Sequence, residues 1–155
     1  MTLMKRLLSA MALATLIAVP LHAKAVASGK RPGNFTFTGA NYTLPLTAGN
    51  ASSVSFSGKG KFLISYVAEC ETTGSWLSIE IFVDGVSISP TTGTGDAFCS
   101  DHNNDDALNG WTTAHVRVET PSLALGPHFV QVRGTVVGSA SDIGWLGDTV
   151  LLVEK

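Results

Sequence analysis

The sequence is poor in charged residues, which make up only 14% of its 155 positions. A disordered chain would carry more charge and fewer large apolar side chains than the 45% hydrophobic content of this one. Basic residues number 10 against 12 acidic ones, so the strong positive charge of a typical nucleic-acid-binding domain is missing. The length covers about one domain, which argues against a multi-domain enzyme.

Several catalytic and metal-binding patterns are also missing. There is no C-x-x-C pair, so a redox catalyst is not supported. No H-x-H or H-x-x-x-H pair is present to hold zinc, and no G-x-S-x-G sequence frames a nucleophilic serine. The sequence does not identify two carboxylates as the catalytic pair of a glycosidase. Glu80 is expected to form an ordinary cross-strand ion pair with Arg117 or Arg133. We therefore expect a protein that is not an enzyme.

The first 25 residues have the pattern of a secretory signal peptide. A basic start precedes an uncharged apolar run over residues 7–19. That run is too short to cross a bilayer comfortably, since a membrane helix needs roughly 20 apolar residues. The small residues Ala23 and Ala25 predict cleavage after Ala25, and cleavage after Ala27 is equally acceptable. An uncleaved N-terminal membrane anchor is the alternative interpretation.

Export predicts a small, mildly acidic domain. Removal of residues 1–25 leaves 130 residues with 7 basic and 12 acidic side chains, a net charge of −5. No second apolar stretch approaches membrane length, so we expect a secreted or periplasmic protein with no membrane span after cleavage and no nucleic-acid partner. Residues 26–33 contain Gly, Lys, Arg and Pro and are expected to be a flexible lead-in. Residues 34–155 are then a single domain.

Cys70 and Cys99 are the only cysteines in the chain. Outside the cytosol a disulfide can form and persist. We therefore predict a Cys70–Cys99 disulfide that closes a loop of about 30 residues. A pair of free thiols is the alternative.

The rest of the chain alternates apolar and polar residues over short segments that are separated by turn signals. Residues 62–70 and 76–83 each place an apolar row on one face, and residues 112–119 alternate between an apolar and a polar face. The Asp84-Gly85 dipeptide is the best hairpin signal. No window has a convincing helical period. The pattern predicts about eight to ten strands in an all-β, antiparallel two-sheet β-sandwich of the jelly-roll type.

A series of short motifs runs through the C-terminal part of the chain. It consists of V-D-G at residues 83–85, a tryptophan at 111, L-x-L-G-x-H-x-V-x-V-R at residues 123–133, and W-L-G-D-x-x-L-L-V at residues 145–153. This order resembles the jelly-roll carbohydrate-binding modules and their galactose-binding-like relatives over residues 62–153. The resemblance implies a jelly-roll fold and a carbohydrate ligand. Within it, Trp111 matches a structural position more than a sugar platform.

Aromatic rings near loop tips are the candidate ligand contacts. The apolar face of a sugar stacks on a flat ring while polar neighbours bond its hydroxyl groups. Trp145 lies in a predicted loop over residues 139–148, with Asp142 and Asp148 as polar neighbours, and Trp111 lies at the edge of an acidic segment. These four residues are the predicted ligand-binding set. Packing in the core or at its rim is the alternative role of each tryptophan.

The acidic segment over residues 96–109 is the candidate calcium site. Asp101, Asn103 and Asp105 have the D-x-N-x-D spacing that begins a calcium loop, and calcium prefers such oxygen ligands. The segment departs from the EF-hand because Asp106 stands where that motif requires glycine. Calcium therefore needs another geometry, and a solvated polar loop is the alternative. No other cofactor is predicted.

An enzyme or enzyme inhibitor on the same sandwich is the third-ranked hypothesis, because the sequence gives no evidence of convergent carboxylates in a cleft. Two other functions are compatible with these patterns. The first is a secreted, non-catalytic binding module for carbohydrate or a cell-surface polymer. The second is a self-associating structural or adhesive extracellular subunit, in which residues 26–38 add a strand to the sheet edge of a neighbouring copy and form a homo-oligomer.

Overall fold

The computed structural model describes residues 23–74, 76–89, 97–100 and 111–155, and these residues form eleven strands. None of them belongs to a helix with the length and hydrophobicity that a membrane crossing requires. The strands are β1 (Ala25–Arg31), β2 (Phe35–Thr38), β3 (Tyr42–Thr43), β4 (Val54–Gly60), β5 (Leu63–Thr72), β6 (Trp76–Val83), β7 (Val86–Ser87), β8 (Ala97–Ser100), β9 (Thr112–Glu119), β10 (Leu123–Val137) and β11 (Ile143–Glu154).

The strands form two sheets in which every described pair is antiparallel. Sheet 1 has the order β1-β11-β5-β9, and β2 also pairs with β11. Sheet 2 has the order β3-β10-β6-β7, while β4 pairs with β10 and β8 pairs with β6. The inner faces of both sheets contribute to one hydrophobic core. The predicted all-β two-sheet sandwich is confirmed.

Strand alternation determines which side chains enter this core. On β5, Ile64 and Tyr66 are fully buried, and on β6 Leu77 and Ile81 are fully buried. Because successive side chains point to opposite faces, the residues between them face outward. Burial of each such aliphatic side chain stabilises the fold by about 1.5–3 kcal/mol relative to exposure. The apolar rows predicted for these two strands are confirmed.

The hairpin between β6 and β7 turns at Asp84 and Gly85, as predicted. Their φ angles are +52° and +80°, and Val83 pairs with Val86. Positive φ at both central residues is what a type I′ hairpin turn requires, and the twist of this turn matches that of the strands. The turn directs the Asp84 side chain toward β10, where Phe129 N–H donates to its carboxylate.

The expectation of a flexible lead-in over residues 26–33 is wrong, since β1 occupies most of this segment. β1 pairs with the C-terminal strand β11, and Lys24 and Lys155 exchange backbone hydrogen bonds of 2.8 and 3.0 Å. Gly29 lies against β4, so the segment also closes the gap between the two sheets. The polar residues of this segment have little preference for strand structure, so the segment is a strand because it pairs with the distant strand β11.

The predicted signal peptide lies outside the described residues apart from its last three positions. Ala25, the residue before the predicted cleavage point, pairs with Glu154. Cleavage and secretion therefore stay predictions.

The side chains of Cys70 on β5 and Cys99 on β8 contact each other between the two sheets. Both residues are buried and are free thiols in this structure. A hydrogen bond with the Cys99 side chain and burial together raise the pKa of Cys70 above its ordinary value. The contact places the two sulfur atoms where the predicted bond would join sheet 1 to sheet 2, and the disulfide itself stays a prediction.

Candidate functional site

Trp145 lies on the outer face of sheet 1. Its neighbours Gly144 and Leu146 are buried, so alternation along β11 directs the Trp145 indole outward, where it is half-buried. The cross-strand partners of Trp145 are Thr36 on β2 and Glu71 on β5. The ring therefore has a polar residue on each side.

Trp111 lies immediately before β9 and covers Gly147 of β11. A Cβ atom at Gly147 would be 3.3 Å from Trp111 Cζ3 and 2.7 Å from Glu69 Oε2. The missing side chain at Gly147 is thus what allows the indole and the carboxylate to approach the strand. Trp111 is 38% exposed, so part of its ring faces solvent.

These residues form one aromatic and acidic surface. Glu69 and Glu71 are two positions apart on β5 and therefore share its outer face. Within the described ranges, neither carboxylate takes part in an ion pair. Their oxygens remain acceptors for a ligand. We call this surface the Trp–Glu face; its members are Thr36, Glu69, Glu71, Trp111 and Trp145.

The Trp–Glu face contains two of the four predicted ligand contacts. Trp111 and Trp145 are both on it, although Trp145 lies in β11 rather than in a loop over residues 139–148. The glutamates were not predicted. Alternation in the predicted strand over residues 62–70 would have placed Glu69 opposite the apolar row, but no local signal places it beside Trp111.

Asp142 and Asp148 have local structural contacts. Asp142 Oδ2 accepts a 2.5 Å hydrogen bond from Ser139 N, and Asp142 N donates to Ser139 O at 3.1 Å, which closes the turn between β10 and β11. Asp148 Oδ1 accepts a 2.7 Å hydrogen bond from Gly33 N and so anchors the segment after β1. Each carboxylate thus has one oxygen engaged by the backbone.

The predicted calcium ligands Asp101, Asn103 and Asp105 lie outside the described residues. In the ranges that the structure does describe, no group of three or more His, Cys, Asp or Glu side chains is arranged to hold a metal ion. Calcium binding stays a prediction.

His128 and Asp84 form a charged pair at the end of sheet 2. His128 Nδ1 is 2.7 Å from Asp84 Oδ2 and Nε2 is 3.0 Å from the Ala124 carbonyl, so a protonated ring donates from both nitrogens. The hydrogen bonds to Asp84 and Ala124 raise the pKa of His128. Desolvation opposes ionisation of Asp84, but the His128 hydrogen bond and the Phe129 N–H outweigh it and hold the pKa of Asp84 below its ordinary value.

This pair predicts a pH-dependent effect of Asp84→Asn. Because folding raises the pKa of His128, the protonated ring contributes its full stabilisation at pH values below 6.5, the pKa of histidine in the unfolded chain. That contribution is lost as the pH rises through the pKa in the folded protein. Because folding lowers the pKa of Asp84, its carboxylate contributes its full stabilisation at pH values above 3.8, the pKa of aspartate in the unfolded chain. That contribution is lost as the pH falls through the pKa in the folded protein. We expect the largest loss of Tm between these two values. Asparagine tolerates the left-handed backbone at this position.

Thermal melts of the wild type and Asp84→Asn at acidic, mildly acidic and alkaline pH measure this effect. The Tm difference is expected to be greatest in the mildly acidic sample and to shrink on either side. A difference that stays constant across the series would contradict the role assigned to the pair.

The ion pair expected for Glu80 is absent. Glu80 lies opposite Arg133 across β6 and β10, but its Oε1 accepts a hydrogen bond from Ser87 Oγ on β7. Arg133 instead places its guanidinium carbon 4.1 Å from the centre of the Phe82 ring. Arg117 pairs with Glu154, with N–O separation 3.7 Å.

The geometry defines an antiparallel β-sandwich with an aromatic and acidic outer face. The sequence matches no protein-family model and no curated protein. Among solved structures, the chain is similar to the carbohydrate-binding module from Cellvibrio mixtus lichenase 5A in complex with cellotriose, with 15% identity and a TM-score of 0.39. That alignment covers 85% of this chain and 98% of the module.

Two larger proteins are also similar to this chain over part of their length. The VP2 subviral particle of infectious bursal disease virus aligns with 86% of this chain at 12% identity and a TM-score of 0.47, and the chain covers 32% of that protein. Dimeric latent PorU from Porphyromonas gingivalis aligns with 82% of this chain at 15% identity and a TM-score of 0.37, and the chain covers 10% of it.

Proposed function

We propose that this protein is a non-catalytic binding module for carbohydrate or a cell-surface polymer. The observation that carries the proposal is the Trp–Glu face, in which Trp111 and Trp145 lie beside two glutamates that form no ion pair among the described residues. Indole faces stack on the C–H side of a sugar ring, and carboxylates accept hydrogen bonds from its hydroxyl groups.

The position of the two carboxylates supports binding rather than hydrolysis. Glycoside hydrolysis requires two carboxyl groups that flank the scissile bond from different directions. Glu69 and Glu71 instead lie side by side along one strand and face the same way. Such a pair holds a sugar from one side only.

The signal-peptide pattern at the N-terminus supports a location outside the cytosol. A secreted or periplasmic module meets polysaccharides of the cell surface or of the surroundings. The chain would act there through its surface, with no catalytic step.

A glycan-binding screen tests this proposal, using protein recovered after export from cells that express the full chain. The panel includes cello-, xylo-, manno- and chito-oligosaccharides. We expect a specific ligand, and we expect Trp145→Ala and Trp111→Ala each to weaken its binding about tenfold or more, as for buried aromatic contacts in other interfaces. Isothermal titration calorimetry gives the affinities.

Phe129→Ala is the matched control. Phe129 is 39% exposed, similar to Trp111, but it lies on β10 of sheet 2. Its removal is expected to leave glycan affinity unchanged. An affinity that is insensitive to both tryptophan substitutions, or a screen with no ligand, would overturn the proposal for this face.

A chelator arm addresses the calcium prediction. The same titrations are repeated with calcium and with EDTA. Binding that is lost in EDTA and restored by calcium would assign a metal to the acidic segment, and equal affinity in both conditions would remove calcium from the proposal.

Self-association is the second candidate function. β1 is an edge strand of sheet 1, and its outer edge has no partner strand among the described residues. Exposed edges of this kind pair with other chains. Residues 26–38 already contribute β1 and β2 to their own sheet, so addition to a neighbour would use the free edge of β1 or an exchange of that strand.

Light scattering and sedimentation over a range of protein concentrations measure this alternative. Growth of the mean mass with concentration would favour the structural subunit. A constant monomer mass in the presence of glycan binding would leave the binding module as the function.

A further inference from the structure

Four exposed lysines and one exposed leucine gather at one end of the sandwich. Lys24 and Lys155 exchange backbone hydrogen bonds beside the start of β1 and the end of β11. Lys59 lies in β4 and Lys61 between β4 and β5, and Lys155 Nζ donates a 2.7 Å hydrogen bond to the Lys59 carbonyl. That bond brings the two pairs of lysines together. We call this surface the lysine end; its members are Lys24, Lys59, Lys61, Leu125 and Lys155.

Leu125 is 81% exposed, the largest exposed fraction of any large apolar side chain among the described residues. The register between β10 and β4 shifts at this point, because Leu123 pairs with Gly60 and Gly126 with Gly58. Leu125 therefore lies opposite Lys59. A single exposed leucine is common on protein surfaces, but a leucine beside a cluster of lysines is the combination that binds the interface of an anionic membrane.

The positive charge of the lysine end is only partly compensated. Lys61 Nζ is 2.6 Å from Glu119 Oε1, and both side chains are more than half exposed, so this pair is weak in water. The Glu154 carboxylate pairs with Arg117. The other three lysines form no ion pair within the described ranges.

The predicted signal peptide joins the domain at the same end. Its apolar run over residues 7–19 ends five positions before Lys24, and five residues span at most about 18 Å. While the run is in a membrane, the lysine end is therefore held close to the lipid headgroups. Cleavage after Ala25 would remove Lys24 and leave an α-ammonium group on Val26, so the positive charge at this end would be kept.

We infer that the lysine end is a docking surface for a membrane that contains anionic lipids. The surface potential of such a membrane attracts lysine side chains, and each one close to the surface strengthens binding about fivefold. The Leu125 side chain enters the boundary between headgroups and acyl chains, where apolar groups are stabilised. A soluble polyanion would attract the same lysines but would gain nothing from the leucine.

The inference does not rest on the proposed function, because no member of the Trp–Glu face takes part. Leu63 begins β5 beside the lysine end, and Glu71 of the Trp–Glu face lies eight residues further along the same strand. Eight strand residues span about 26 Å. A domain that is docked by its lysine end therefore keeps the Trp–Glu face away from the lipid and open to a glycan.

Cosedimentation with lipid vesicles tests the inference, using soluble protein recovered after export. One set of vesicles contains phosphatidylglycerol and phosphatidylcholine in equal parts, and the other contains phosphatidylcholine alone. We expect binding to be at least about tenfold tighter to the anionic vesicles and to weaken at high salt. Dextran sulfate is titrated separately as a soluble polyanion.

Three variants at exposed positions locate the binding. Lys59→Gln is expected to weaken binding to anionic vesicles about fivefold. Leu125→Ser is expected to weaken it about threefold or more and to leave binding of dextran sulfate unchanged. Glu119→Gln removes the carboxylate beside Lys61 and is expected to strengthen vesicle binding several-fold, a gain that a misfolded variant would not show.

Lys30→Gln is the matched control for charge. Lys30 lies six positions from Lys24 along β1, about 20 Å away and beyond the range of screened electrostatic attraction to a membrane at the lysine end. Val150→Ala is the matched control for an exposed apolar side chain, since Val150 is 39% exposed and lies within β11. Both controls are expected to bind vesicles like the wild type.

Three results would each overturn the inference. The first is equal binding to the two kinds of vesicle, and the second is an effect of Lys30→Gln as large as that of Lys59→Gln. The third is unchanged vesicle affinity in Leu125→Ser, which would replace the membrane by a soluble polyanion as the partner.

Discussion

Replacement of Cys99 by alanine in oxidised protein is expected to lower the free energy of unfolding by about 3–4 kcal/mol. A Cys70–Cys99 bond would close a loop of about 30 residues, and the chain-entropy model assigns that closure most of the loss. The bond would also join β5 of sheet 1 to β8 of sheet 2. For a domain of this size the loss corresponds to a Tm lower by about 10–15 °C, measured by calorimetry.

The reduced wild type is the control for this prediction. A reductant is expected to lower the Tm of the wild type by a similar amount and to leave the Cys99→Ala variant unchanged. Mass measurement after alkylation under denaturing conditions counts the free thiols directly. Two alkylated cysteines in untreated, exported protein would show that the thiol pair is the native form and would remove the expected stabilisation.

Truncation of Phe37 is expected to have the other large effect on stability. The Phe37 ring is 4% exposed and fills space that two glycines leave open, one on each sheet. A Cβ at Gly134 of β10 would lie 2.5 Å from the ring, and one at Gly144 of β11 would lie 3.3 Å from it. Because glycines have no side chains that could relax into the cavity, Phe37→Ala is expected to cost about 3–5 kcal/mol in urea-denaturation experiments.

A double substitution tests whether the ring and the glycine fit each other. Gly134→Ala alone is expected to cost about 1–3 kcal/mol, since its Cβ would overlap the ring. In the Phe37→Ala background the overlap is gone, so the combined cost is expected to be clearly smaller than the sum. Additive costs would contradict the packing. The half-exposed Phe129→Ala is expected to cost much less than Phe37→Ala.

Local patterns were sufficient for the central strands and for one turn. Residues 62–70 and 77–83 each have an apolar side chain at every second position, so the buried rows of β5 and β6 were identified before any partner strand was known. Asp84-Gly85 was identified because few other dipeptides adopt positive φ at two successive positions. β1 was missed for the opposite reason: its residues have little preference of their own, and the strand exists because β11 pairs with it.

The residues of the candidate sites are also partly evident from local sequence and partly brought together by contacts between distant strands. Trp111 and Trp145 stand out by residue type, which is visible in the sequence. Glu69 joins them only because β5, β9 and β11 are neighbours in sheet 1 and because Gly147 leaves room for its carboxylate. Arg133 was expected to pair with an acid. Whether it meets Glu80 or stacks on Phe82 depends on the contacts of Ser87, and the composition of β6 and β10 does not specify them.

The sequence by itself therefore determined the all-β class, the inner and outer faces of the central strands and the position of the tightest turn. Each of these depends on residues within a few positions of one another. The tertiary structure decided that residues near the N-terminus complete sheet 1, that Asp84 meets His128, and that two tryptophans share a surface with two glutamates. These contacts join residues far apart in the chain, and they follow from the strand order, which alternation alone does not define.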